Sequence, residues 1–95
     1  MHWVSNNASC SNGMGIIVGW DPNSVRVTVI SQFSQLLNLY AESVNSQHRF
    51  FCSFIYAHVR ASSRKELWKD LVFHSLLVKD KPWLLMGDLN VILDP

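Results

Sequence analysis

The chain has 95 residues, which is enough for one small domain and too few for two. Hydrophobic residues make up 48% of it and charged residues 16%, a composition typical of a chain that folds and not of a disordered one. Eight basic and seven acidic side chains give a net charge of +1. This balance excludes a broad basic surface for nucleic acid, so any affinity for DNA must come from a local site or from sequence outside this chain.

The cysteines and the N-terminus bear on where the chain resides. Cys10 and Cys52 have no metal-binding or redox spacing, and Cys52 lies in an apolar run, where we expect a reduced core thiol. The N-terminus lacks the basic start and apolar stretch of a signal peptide. No apolar run reaches the roughly 18–20 residues of a membrane helix. We therefore expect an unsecreted, intracellular chain, in the cytoplasm or nucleus, with no membrane partner.

The first part of the chain predicts a loop followed by a hairpin. Residues 1–13 are polar and rich in Asn, Ser and Gly, which predicts an N-terminal loop segment before a domain that covers 14–95. The β-branched run at 14–20 predicts a strand. The sequence DPNS at 21–24 is turn chemistry, and Val alternates with polar residues over 25–30. Two strands joined by a tight turn predict a β-hairpin.

Two longer strands are predicted in the middle of the chain, at 35–44 and 49–57. The second has apolar residues on both of its alternating faces, with Phe50 and Phe54 on one and Phe51 and Ile55 on the other. A strand that is apolar on both faces is expected inside a sheet, with cover on both sides.

One helix and a final strand follow. Leu67, Leu71 and Val78 recur at helical spacing and Ser63 opens a capping-box pattern, so we predict a helix over 63–78 in which His74 is a structural or surface histidine. An apolar run predicts the last strand at 83–90. The helical connection predicts that this strand lies parallel to strand 49–57 and beside it. The order strand–strand–strand–strand–helix–strand indicates an α+β (α/β) fold, mainly antiparallel with one β-α-β crossover.

The last strand ends in Gly87, Asp88, Leu89 and Asn90, residue types from which a phosphodiester-cleaving site can be built. Side chains two residues apart on a strand share a face, so Asp88 and Asn90 are expected to point the same way. A carboxylate can orient or deprotonate an attacking water, and an amide can donate to a developing oxyanion. Gly87 would let a ligand approach the backbone. The same pattern is also common turn chemistry, and the four residues alone do not decide between the two readings.

The wider sequence resembles the endonuclease/exonuclease/phosphatase (DNase I-like) family. The stretches that carry the likeness are GIIVGWDP, RFFCSFIYA, RKELWKDL and PWLLMGDLNVIL, in order over residues from about 14 to 95. More narrowly, they resemble the endonuclease domains of plant LINE-type (non-LTR) retrotransposons. The resemblance implies a two-sheet, four-layer α/β sandwich, of which this chain is part, and Mg²⁺-dependent hydrolysis of DNA phosphodiesters.

The resemblance also implies roles for three residues. Asp88 matches the aspartate that activates or orients the attacking water, Asn90 the asparagine that contacts the phosphate or water, and Tyr56 the strand-end tyrosine near the scissile phosphate. A core tyrosine with its hydroxyl at the rim is the alternative for Tyr56. The family's metal-ligating glutamate and its C-terminal Asp-His pair have no counterpart in this sequence, and Asp88 alone is a poor Mg²⁺ ligand set. We therefore expect a fragment that binds Mg²⁺ weakly and is inactive alone.

Two other functions remain open from the sequence. The chain could be a non-enzymatic interaction module, with its apolar strands covered by a partner or by self-association. It could also belong to a phosphatase of the same fold that acts on inositol or sugar phosphates.

Overall fold

The computed structural model describes residues 1–5, 16–56 and 61–88, without the side chains of 61–63 and of residue 88. These residues form six strands and one helix. In chain order the elements are β1 (His2–Ser5), β2 (Ile17–Trp20), β3 (Val25–Phe33), β4 (Leu36–Ser43), β5 (Arg49–Tyr56), α1 (Ala61–Val78) and β6 (Trp83–Asp88).

A four-stranded sheet in the order β3-β4-β5-β6 is the centre of the fold. β3 pairs with β4 and β4 with β5 in antiparallel register, while β6 lies parallel to β5. The mixture of antiparallel strands with one helical crossover confirms the predicted α+β class. It also confirms that the last strand lies parallel to β5 and beside it, with α1 as the connection.

The predicted hairpin between the first two apolar runs is wrong. The turn itself forms, because the carboxylate of Asp21 accepts a hydrogen bond of 2.9 Å from the Asn23 main-chain N–H. The strands on its two sides join different sheets, however. β2 pairs with β1, and β3 pairs with β4 over 25–33. β3 thereby gains an eight-residue partner, twice the length of β2.

The prediction of a loop over residues 1–13 is wrong for β1. His2 pairs with Trp20 and Ser5 with Ile17 in a regular antiparallel ladder. Only four residues are involved, and Val4 is the one β-branched residue among them. Such a short strand is specified by the partner it meets and hardly at all by its own composition.

The helix covers one face of the four-stranded sheet. Leu67 of α1 is fully buried against Leu36 of β4 and Ile55 of β5, and Phe33 and Leu71 pack around these three. α1 begins two residues before the predicted start, so Ser63 lies within its first turn and not at the capping position. It ends at Val78, as predicted.

The opposite face of the sheet is covered by the two-stranded sheet. Leu37 and Leu39 of β4 and Cys52 of β5 form a buried cluster there, and Val4 of β1 and Val18 of β2 pack against it. β5 is thus central, with cover on both faces, as its two apolar faces predict. Cys52 is a buried free thiol, in agreement with the expected core cysteine, and burial raises its pKa.

Candidate functional site

The candidate site lies where the parallel strands β5 and β6 end side by side. Tyr56 is the last residue of β5 and Asp88 the last of β6, and the two are Cα partners in the parallel register. They are 32 positions apart in sequence, and the β5–α1–β6 crossover brings their backbones together. Carboxyl ends of parallel strands are where open α/β sheets place ligands.

Tyr56 is held by its main chain and leaves its side chain accessible. Its N–H donates a 3.0 Å hydrogen bond to the carbonyl oxygen of Gln35, which lies just before β4. The residue is 41% exposed, at the end of its strand. A phenol in this position can reach a ligand that docks at the strand ends.

Gly87 lies at a position that requires glycine for a reason that the sequence alone did not show. Its φ is 135°, a conformation that favours glycine. A Cβ at this position would overlap the carbonyl oxygen of Ile55 and lie 2.8 Å from the Ile55 main-chain N and C. Close approach of β5 therefore accounts for the glycine, without any need for the ligand contact that the sequence suggested.

Asn90 and Leu89 lie outside the described residues. For Asp88 the structure gives the backbone, as the end of β6, and its register opposite Tyr56. The structure therefore brings two of the three predicted site residues together at one strand edge. That Asp88 and Asn90 share a face stays a prediction from strand periodicity.

The described residues do not provide a metal site. Among residues 1–5, 16–56 and 61–88, no group of three or more His, Cys, Asp or Glu is arranged to hold a metal ion. Asp88 is the one acidic residue whose backbone the described part of the chain has at this strand edge, whereas Mg²⁺ usually takes one or two carboxylates together with water and phosphate oxygens. These residues do not fit a self-sufficient Mg²⁺ site. In the same part of the chain, no helix has the length and apolar character to cross a membrane.

Sequence reasoning missed a polar cluster between the sheet and α1. Ser53 is fully buried; its hydroxyl donates to Oδ1 of Asn38 at 2.6 Å and accepts from Nε1 of Trp83 at 2.8 Å. The Asn38 amide in turn donates to Oγ of Ser31 at 2.9 Å. These hydrogen bonds join β3, β4, β5 and β6, and they fix the position of Trp83 at the start of β6.

His74 lies beside this cluster, on the buried face of α1. Its ring makes edge contacts with Phe51 and Trp83, at centroid distances of 6.0 and 5.5 Å. The residue is 4% exposed, and its Nε2 has no hydrogen-bond partner among the residues that the structure describes. Burial lowers the pKa of the imidazole, which favours the neutral ring. These contacts make His74 structural, one of the two roles expected for it.

A basic, aromatic cleft opens at the other end of the central strands. It has a volume of about 250 Å³ and is lined by Tyr40, Arg49, Phe51 and Lys81, among others. Arg49 lies 3.8 Å from a carboxylate oxygen of Glu42, so part of its charge is balanced. Arg49 begins β5 and Tyr56 ends it, so the cleft is separate from the strand ends that carry Tyr56 and Asp88.

Comparison of the chain with protein-family models, curated proteins and solved structures found no match. The likeness to DNase I-like endonucleases thus stands on the motifs in the sequence. Tyr56 and Asp88 belong to two of those motifs, and the structure has them as Cα partners at one strand edge.

Proposed function

We propose that this chain is part of a Mg²⁺-dependent phosphodiesterase domain of the DNase I-like type, a DNA endonuclease of retrotransposon origin. The observation that supports this most is the parallel register that pairs Tyr56 with Asp88. In a chain whose motifs resemble that family, a tyrosine and an aspartate at adjacent strand ends are the groups that such a site requires. The two residues could not act on the same phosphate if their strands were far apart.

The layering also supports the proposal. α1 packs on one face of the four-stranded sheet, and the short β1–β2 sheet packs on the other through Val4 and Val18. We propose that these layers are part of the four-layer α/β sandwich of the family. The described residues form three layers, which are one helix and two sheets.

The chemistry that we propose follows from the three side-chain types. The Asp88 carboxylate orients a water molecule for in-line attack on phosphorus and accepts its proton. The bond from phosphorus to the leaving sugar oxygen breaks as the new bond forms, and that oxygen takes a proton from solvent. The Asn90 amide donates a hydrogen bond to a non-bridging phosphate oxygen, where charge develops in the transition state. The Tyr56 hydroxyl donates to the phosphate from the neighbouring strand end. All three roles are those that the family resemblance implies.

We propose further that the 95-residue chain does not cleave DNA alone. The described residues fit no complete metal site, and the net charge of +1 gives little general attraction for a phosphate backbone. The purified chain, mixed with supercoiled plasmid and Mg²⁺, is expected to leave the plasmid intact. Nicking that disappeared in Asp88→Ala would contradict the proposed inactivity.

A chimera tests the proposed function itself. Residues 16–90 would replace the corresponding segment of an active DNase I-like endonuclease, so that the host supplies the groups this chain lacks. Circular dichroism establishes that the chimera folds, and nicking of supercoiled plasmid in Mg²⁺ reports activity. A folded chimera that nicks, and that loses activity in Tyr56→Phe and Asn90→Ala, is the expected result. A folded chimera without activity would contradict the proposal.

A further inference from the structure

β6 is an edge strand whose outer side meets no other strand in the described part of the chain. The Phe51 N–H donates to the Pro82 carbonyl at 2.8 Å, so the Pro82 carbonyl points toward β5. Backbone direction alternates along a strand, and the residues that follow at odd numbers therefore turn their backbone groups away from β5. The N–H and C=O groups of Trp83 and Leu85 face the open side.

The two edges of the four-stranded sheet differ in how they discourage further pairing. β3, at the other edge, carries the exposed charge of Arg26 and an irregularity between Val29 and Ser31 that interrupts its regular register. Charges and bulges are the devices by which natural edge strands avoid pairing with other chains. Residues 83–87 of β6 have no charged side chain, and their register with β5 is regular. β6 is thus the unprotected edge.

The side chains of residues 84–86 of β6 are apolar and exposed, on both faces of the sheet. Leu84 and Met86, on the face opposite α1, are 51% and 40% exposed, and Leu85, on the helix face, is 44% exposed. Strands that pair in parallel usually have both faces covered. β5, the neighbouring strand, has that cover, and β6 does not.

The exposed surface continues onto α1. The stripe of the helix that faces the sheet includes the buried Leu67 and His74 and the partly buried Leu71. Phe73 and Leu77 flank that stripe on the side of β3, since they line a cavity with Ile30. At 100° per residue, Trp68 and Val72 flank it on the opposite side, which is the side of β6. Both are exposed, at 42% and 63%.

We propose that β6 is a dimerisation edge, and that its occupant is β6 of a second copy of this chain in antiparallel pairing. Antiparallel pairing of two identical strands around a two-fold axis is self-complementary, because each open N–H meets a carbonyl of the other copy. Residues 83–87 carry no charge and the net charge is only +1, so there is little repulsion between copies. A continuous eight-stranded sheet results.

The symmetry of this dimer also accounts for the helix surface. A two-fold axis perpendicular to the sheet keeps both copies of α1 on the same face. The flanks that carry Trp68 and Val72 then face each other across the axis, above the paired strands. The dimer therefore covers the exposed residues of β6 and those of the adjoining helix flank in one interface.

Light scattering on a size-exclusion column tests the dimer. The chain is expected to elute with twice its mass of 10.9 kDa and to dissociate on dilution. Leu85→Pro removes an N–H from the open side and keeps the bonds to β5, and Leu84→Lys places a charge on the exposed face. Each variant is expected to raise the dimer dissociation constant by about 100-fold or more. Ile30→Lys, a matched change at the opposite edge, leaves the dimer intact.

Circular dichroism on each variant separates loss of the dimer from loss of the fold. A parent chain that elutes as a monomer at every concentration overturns the proposal. So does a dimer that Ile30→Lys disrupts and that folded Leu84→Lys and Leu85→Pro preserve. The nicking experiments do not depend on the outcome, because the open side of β6 is not the strand end that carries Tyr56 and Asp88.

Discussion

Gly87 of β6 lies directly against the main chain of Ile55 on β5, with a φ of 135°. The contact brings the two strands together one residue before the ends that carry Tyr56 and Asp88. The geometry of the candidate site therefore depends on a position where no other residue type fits without a shift of the backbone.

Gly87→Ala is expected to destabilise the fold by about 2–3 kcal/mol, because a Cβ would meet the Ile55 backbone and the required φ is strained for alanine. Urea unfolding followed by tryptophan fluorescence measures the change. Gly19→Ala is the control, since the atoms nearest to its Cβ would be those of the Trp3 ring, an exposed side chain that can turn away. Equal losses in the two variants would contradict the close contact between β5 and β6.

The hydroxyl of Ser53 makes hydrogen bonds to two side chains, those of the buried Asn38 and the partly buried Trp83. Ser53→Ala is expected to cost about 1–3 kcal/mol of unfolding free energy, because it leaves the Trp83 N–H and the Asn38 carbonyl without their shared partner. Ser75→Ala is the matched control on the helix, where the hydroxyl donates to the Val72 carbonyl at an exposed position. A change within about 0.5 kcal/mol is expected there. A negligible effect of Ser53→Ala would contradict the buried cluster.

His74 makes stability depend on pH. Burial lowers the pKa of the folded state below the ordinary value of 6.5, so the unfolded chain takes up a proton first as the pH falls. The neutral ring contributes fully to the free energy of unfolding above pH 6.5. Below that pH the free energy of unfolding falls by up to about 1.4 kcal/mol per pH unit. The loss continues until the pH falls through the folded-state pKa.

Unfolding experiments between about pH 7.5 and pH 5.5 measure this loss of stability. His74→Phe keeps an aromatic ring against Phe51 and Trp83 and removes the titrating group. Its unfolding free energy is expected to fall less over this range than that of the parent chain. Equal pH dependence in parent and variant would show that His74 is not the group responsible.

The elements that were predicted correctly are those that a local residue pattern or the order of the elements along the chain indicates. β5 has apolar residues on both faces, α1 repeats its apolar residues at helical spacing, and a helix that joins two strands favours their parallel pairing. These signals together predicted that β5 and β6 lie side by side. The pairing of Tyr56 with Asp88 then depends only on where the two strands end.

The errors occurred where a partner decides the structure. The turn at 21–24 was predicted from its own residues, but no feature of 14–20 identified His2–Ser5 as the strand that pairs with it. The buried cluster joins Asn38 to Ser53, 15 residues away, and Ser53 to Trp83, 30 residues away. Serine and asparagine in apolar strands signal a buried network only when their partners are known.

The effect of Asp88→Ala on the nicking rate of the chimera tests the proposed function most directly. Loss of the carboxylate that orients the attacking water is expected to lower the rate by about 100-fold or more. Asp80→Ala, at an exposed aspartate in the turn between α1 and β6, is expected to change the rate by less than about twofold. An Asp88→Ala chimera that folds and cleaves as fast as the parent chimera would contradict the assignment of this strand edge as a phosphodiesterase site.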